Sequence, residues 1–337
     1  MKLVSRGLGL LFLMGALGGC TVQRALVDES PVLQGRDAPV ELTETPFFPQ
    51  QALQCGPAAL ATVLGAAGAA DAGTHPDALA REVYTPGLGG SLQLELVAAA
   101  RARGFVPYIV APDADALFAE LLAGRPVLVM QNLRLRTWPA WHYAVVIGVD
   151  PRTGDIILRS GAEPRLETPA GRFLRTWDRA DRWGLVLLEP GQLPARPHRA
   201  HYFDAVAGLE ETGRHGAAAQ AWQAALLAWP GDPIAQFGYA TASYLDGDLA
   251  AARDAYAALV NADPAHAAAL NNLANVLADL GCRATARALA ERAVAAAPAG
   301  GEIAAAATDT LAGLPADARD AAECATGELR LIRTTLP

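Results

Sequence analysis

The sequence predicts an α+β domain followed by an array of paired helices. Two observations predict this division. Between Cys55 and Leu188 helical periods alternate with short β-rich runs, whereas beyond residue 200 the chain turns to alanine-rich helix. In that second half, glycine, proline and alanine recur 34 residues apart: Gly213, Gly247 and Gly281; Pro230, Pro264 and Pro298; Ala218, Ala252 and Ala286.

The bulk numbers agree. A chain of 337 residues is long enough for about two ordinary domains. Hydrophobic residues make up 52% but aromatics only 6%, so helices are expected to pack closely on small side chains. A net charge of −8 with no Lys/Arg run argues against a nucleic-acid surface. No Cys/His/Asp cluster has metal-ligand spacing, and no glycine-rich loop of the Walker or dinucleotide type occurs. Neither a metal nor a cofactor is therefore expected.

Residues 1–20 read as a targeting segment, with Lys2 and Arg6 ahead of the apolar run Leu8–Leu17. About ten apolar residues are too few to span a bilayer, which takes roughly 20. The ending Leu17-Gly18-Gly19-Cys20 resembles a bacterial lipoprotein signal, which implies a lipid on Cys20 and a membrane-anchored protein facing the periplasm. Thr21 in place of Asp points to the outer membrane. Residues 21–45 are polar and irregular, a tether. Of the remaining cysteines, Cys282 and Cys324 lie together in the helical half and could form a disulfide in an oxidising compartment, or stay as buried thiols. That leaves Cys55 without an obvious partner.

The first domain is expected over 46–190. Pro57 to Gly65 reads as a helix with Pro at its first position, and Ser91 as the cap of a second helix running to Gly104. FVPYIV (105–110) and PVLVMQN (126–132) read as strands around the helix DADALFAELLAG. HYAVVIGV, the turn DPRTGD and IILRS form a hairpin, and GLVLLEP (184–190) a last strand. Gly89-Gly90 reads as a loop. The Pro-rich stretch 191–200 is a linker, 201–300 hold three repeats, and 301–337 a capping helix and tail. A 34-residue period with a glycine turn, a small alanine and a closing proline resembles the tetratricopeptide repeat. That resemblance implies a solenoid whose concave face takes a protein partner.

The chemistry is carried by Cys55. The thiolate is the nucleophile, and the start of a helix favours it through the macrodipole. A histidine would complete the activation. Of six histidines, only His142 begins a strongly predicted strand in the same domain. Cys55-Gly56-Pro57-Ala58, an upstream Gln, and His142-Tyr143-Ala144-Val145-Val146-Ile147-Gly148 in that order resemble the papain-like cysteine peptidases that process bacteriocin leaders after a double glycine, cysteine-peptidase family thirty-nine. The resemblance covers roughly residues 45–190. It implies a helix-borne Cys facing an antiparallel sheet that bears His, here joined to tetratricopeptide repeats in a lipoprotein.

Carried over, Cys55 is the nucleophile and His142 the general base. The oxyanion-holding glutamine is Gln50, one residue closer than the family spacing, with Gln51 next. Where the family places an orienting Asp, counting through the hairpin gives Ser160. Asp150 sits in a turn about 26 Å along an extended strand from His142, and Glu163 lies just past Ser160. The expected function is an exported, lipid-anchored cysteine peptidase acting on a peptide or protein, with repeats that recruit a partner or substrate. Two other readings stand beside it. One is a catalytically inactive peptide-binding scaffold, favoured by Ser160. The other is acyl transfer to an amine by the same pair.

Overall fold

A computed structural model describes residues 30–50, 54–69, 71–317, 319–321 and 324. Cys20, Gln51 and the targeting segment lie outside the described residues. The chain divides into two compact units. One runs to Glu189 and includes Leu193–His201; the other comprises Pro190–Gln192 and the chain from Tyr202 onward. The first is mixed α+β and the second helical.

The first unit is built on an antiparallel sheet. Its strands are β1 (Val40–Glu41), β2 (Val106–Ile109), β3 (Val127–Asn132), β4 (Trp141–Asp150), β5 (Asp155–Ser160), β6 (Glu163–Pro169) and β7 (Gly184–Leu188). The strand order is β2-β7-β3-β4-β5-β6, with β1 added to β4. Apolar β-branched runs make β3, β4 and β7 almost wholly buried, so these central strands are covered on both faces. Gly148 is needed where β1 crosses β4, because a Cβ there would lie 2.4 Å from the Val40 carbonyl oxygen.

Three helices, α1 (Cys55–Ala66), α2 (Pro76–Val83) and α3 (Gln93–Ala102), share a core with this sheet. Leu60, Val63 and Leu64 of α1 and Leu96 of α3 pack there with Tyr143, Val145 and Ile147, the alternate residues of β4. Helix α4 (Ala114–Leu122) is capped by Asp113, whose carboxylate accepts from Ala116 N at 2.7 Å. Helix α5 (Ala170–Asp178) completes the unit, and its Thr176 hydroxyl accepts from Gln131 of β3.

Several local expectations shift. Helix α1 begins at Cys55, not Pro57. Proline is tolerated anywhere in the first turn, where backbone N–H groups have no intrahelical partner, so it does not fix the first residue. Helix α3 starts two residues after Ser91, and its start is closed by Glu95, which accepts from Leu92 N at 2.8 Å. Of the stretch 21–45 expected to be a tether, the described part belongs to the first unit: Leu33 is buried and Val40–Glu41 pairs with β4. Of the stretch read as a linker, residues 193–200 belong to the first unit. Ala195 N donates to buried Glu120 at 2.7 Å, and the Tyr108 hydroxyl bonds both the Arg196 carbonyl and His198 N.

The second unit stacks helical hairpins. Its helices are α6 (Arg199–Glu211), α7 (His215–Ala228), α8 (Pro233–Asp246), α9 (Leu249–Ala262), α10 (Ala267–Asp279), α11 (Arg283–Ala296) and α12 (Glu302–Ala312). The period explains itself in three dimensions. Gly213, Gly247 and Gly281 turn the chain within each hairpin at φ of 71°, 89° and 81°, a region side chains avoid. Ala218, Ala252 and Ala286 are fully buried where helices approach. The Trp222 ring packs so closely on Gly238 that a Cβ there would come within 2.4 Å of it.

Cys282 and Cys324 are joined as a disulfide, closing a loop of 42 residues. Loop closure of that length is worth about 4 kcal/mol. Replacing both cysteines by serine should lower the denaturant stability of the helical unit by about that amount. Unfolding followed with and without reductant checks it, because reductant should then affect the wild-type chain alone.

Candidate active site

Cys55 is the first residue of α1, half-buried and not disulfide-bonded. Among the described residues no side chain caps the start of this helix, and Pro57 contributes no N–H there. The Cys-Gly dipeptide has a steric reason. A Cβ on Gly56 would lie 2.6 Å from the Ser91 hydroxyl oxygen, so only glycine lets the Ser91 loop close against the helix start. That hydroxyl is buried without a hydrogen-bond partner among the described residues. Ser91, read as a helix cap, instead packs beside the cysteine.

His142 is the second residue of β4. Its Nε2 lies 2.8 Å from Ser160 Oγ at the end of β5. Burial holds its pKa below the ordinary histidine value of 6.5. No hydrogen bond joins it to Cys55 among the described residues. Both nevertheless line one cavity of about 810 Å³, together with Gln50, Ser91, Met130 and Trp141.

Gln50 is set against the same strand. Its backbone N–H donates to the Gly161 carbonyl at 2.9 Å, and its side-chain amide donates to the Tyr143 carbonyl at 3.1 Å. An amide nitrogen carries two donors, so one is left over. Gln54 is the residue before α1, with its carbonyl accepting from Ala58 N, and it does not line the cavity. Gly161 turns with φ +62° between β5 and β6, which delivers its carbonyl to Gln50.

Tyr143 braces the opposite wall. Its hydroxyl donates to the Ser91 carbonyl at 3.1 Å, and its ring meets Trp183 edge-on at 6.0 Å. Its pKa is pushed well up, first by burial and then by the negative charges available at Cys55 and Glu95. This link between the histidine strand and the loop before α3 was not read from sequence. A tyrosine next to a candidate histidine was the only signal for it.

The structure therefore gathers Cys55, His142 and Gln50 around one cavity, with Ser160 joined to it through His142. Neither of the two carboxylates weighed beside Ser160 lines the cavity. Asp150 accepts from Arg152 N at 2.9 Å and shapes the β4–β5 turn, which keeps its carboxyl below the usual range. Glu163 is exposed at the start of β6 and does not line the cavity. Among the described residues, no group of three His, Cys, Asp or Glu is placed to hold a metal ion, and no helix is long and apolar enough to cross a membrane.

Compared with known proteins, the chain matches no family model and no curated sequence.

Proposed function

We propose that the first unit is a papain-like cysteine peptidase and that the second is a tetratricopeptide-repeat module that recruits its substrate or a partner. The observation that carries the reading is the shared cavity. It places a helix-start thiol, an imidazole oriented through Nε2 and a glutamine amide around one space of about 810 Å³, ample for a peptide segment. With Nε2–H donating to Ser160, the Nδ1 lone pair of His142 is free to take the Cys55 proton.

The reaction then runs in two halves. Cys55 Sγ attacks a peptide carbonyl as its proton passes to His142, and the carbonyl electron pair moves onto oxygen. The spare Gln50 donor and the Cys55 backbone N–H hold that oxyanion. Collapse expels the amine, which takes the proton from His142, and leaves a thioester. Water, deprotonated by His142, releases the acid and restores the thiol. Lipidation at Cys20 would keep the enzyme on the periplasmic side of the outer membrane.

Ser160 favours a second reading, a peptide-binding domain without turnover. A hydroxyl accepts from Nε2–H but carries no charge to stabilise an imidazolium.

The pH dependence of Cys55 alkylation separates the two readings, with the reacting thiol located by peptide mass mapping. A peptidase gives a thiolate that reacts below the free-thiol pKa of about 8.5 and a thioester trapped from a peptide library. A cysteine that titrates like a free thiol and traps nothing leaves the binding reading.

A further inference from the structure

We propose that the β3–β4 loop, residues 133–140, together with Trp141 is a membrane-contact hairpin that takes the anionic surface of a phospholipid bilayer. Four large apolar side chains stand in solvent within nine residues: Leu133 at 51%, Leu135 at 65%, Trp138 at 80% and Trp141 at 54% exposure. A cluster of this kind is not the scattered exposed apolar residue that any surface carries.

The loop is built to hold them there. Leu133 N donates to the Ala140 carbonyl at 2.9 Å, and Trp138 N to the Leu135 carbonyl at 3.2 Å, making a tight secondary turn. Asn132, fully buried beneath it, accepts from both Arg134 N and Ala140 N. Two arginines tie the loop to the end of α5: Arg136 donates to the Asp178 carbonyl and Arg179 to the Arg134 carbonyl. Apolar tips are thus displayed on a braced backbone.

Charge decides the occupant. The loop holds Arg134 and Arg136 and no acidic residue; beside it stand Arg179 and Asp178, whose carboxylate is paired with Arg182, so the patch keeps a positive excess in a chain whose net charge is −8. A local positive field around protruding Leu and Trp suits the interface of an anionic bilayer. There tryptophan sits at the headgroup level while arginine reaches the phosphates.

The test uses residues 21–337, which include every described residue and lack Cys20, so its result is independent of lipidation. Vesicles of equimolar phosphatidylglycerol and phosphatidylcholine should sediment the chain, pure phosphatidylcholine vesicles much less, and added salt should weaken binding. The double substitution Leu135→Ser/Trp138→Ser should lower the partition coefficient about a hundredfold. Lipids with brominated acyl chains should quench tryptophan fluorescence in the wild type and lose most of that quenching in Trp138→Phe/Trp141→Phe. Absence of wild-type binding to the anionic vesicles overturns the proposal. So does unchanged vesicle binding by the double variant. A double variant altered only in self-association or in peptide cleavage would make the loop a protein-contact surface and equally overturn it.

Discussion

Substituting His142 by alanine is expected to slow hydrolysis of any peptide the chain cleaves by about 10²–10⁴-fold, the usual contribution of a positioned acid–base group. Alkylation of Cys55 at neutral pH should slow as well, because the proton acceptor is gone. The pH profile carries a sign. Burial lowers the His142 pKa below 6.5, so the neutral, proton-accepting form persists into mildly acidic solution. The acid limb of kcat/KM should therefore fall below pH 6.5 and vanish in the alanine variant. The same shift acts on folding. Its stabilising contribution is complete above the unfolded value of 6.5 and is lost as pH drops below it, since the unfolded chain then binds the proton more readily. Within this scheme Ser160→Asp should raise the His142 pKa and move the limb upward, and Ser160→Ala should not. An acid limb above pH 6.5 in the wild type would contradict the assignment.

Gln50→Ala is expected to lower kcat for acyl transfer by about 10²–10³-fold, or 2.7–4 kcal/mol, the cost of one oxyanion donor. The residue also ties the segment before α1 to the Tyr143 carbonyl, so a structural explanation has to be separated from the catalytic one. Alkylation does this. Displacement by iodoacetamide passes through no oxyanion, so a pure oxyanion role leaves the Cys55 alkylation rate unchanged while peptide cleavage falls. If both rates fall together, Gln50 is a positioning residue for the helix start.

The two halves of the chain were legible in sequence to different depths. The helical character of the second half was visible, because its period is set by local needs: a glycine with positive φ in each hairpin and an alanine at each close approach. The apolar strands β3, β4 and β7 were visible for a similar reason, since burial on both faces demands an unbroken β-rich run. The edge was not. Among the described residues Glu163–Pro169 pairs only with β5; it stays largely exposed and ends in proline, so nothing in its composition distinguishes it from a loop. The helix that follows it also escaped notice.

At the site, Cys55 and His142 were singled out by their places at a helix start and a strand start, and Gln50 and Ser160 by the family resemblance alone. What spacing could not supply was the far wall. Ser91 and Tyr143 meet across 52 residues, and their contact exists only once the sheet and α3 are assembled. The Cys282–Cys324 pairing was left open because two cysteines alone state no geometry. Their Cα atoms lie 5.5 Å apart in the fold.

The docked segment 193–198 bears on modularity. Buried Glu120 has two partners, Arg125 at 2.6 Å and the backbone of Ala195 at 2.7 Å. A cut at residue 190, the boundary that composition suggests, would strip away one of them and uncover a carboxylate that is 2% exposed. The portable piece bearing the cleft thus ends beyond His198, and any graft of this unit onto another partner must carry those residues with it.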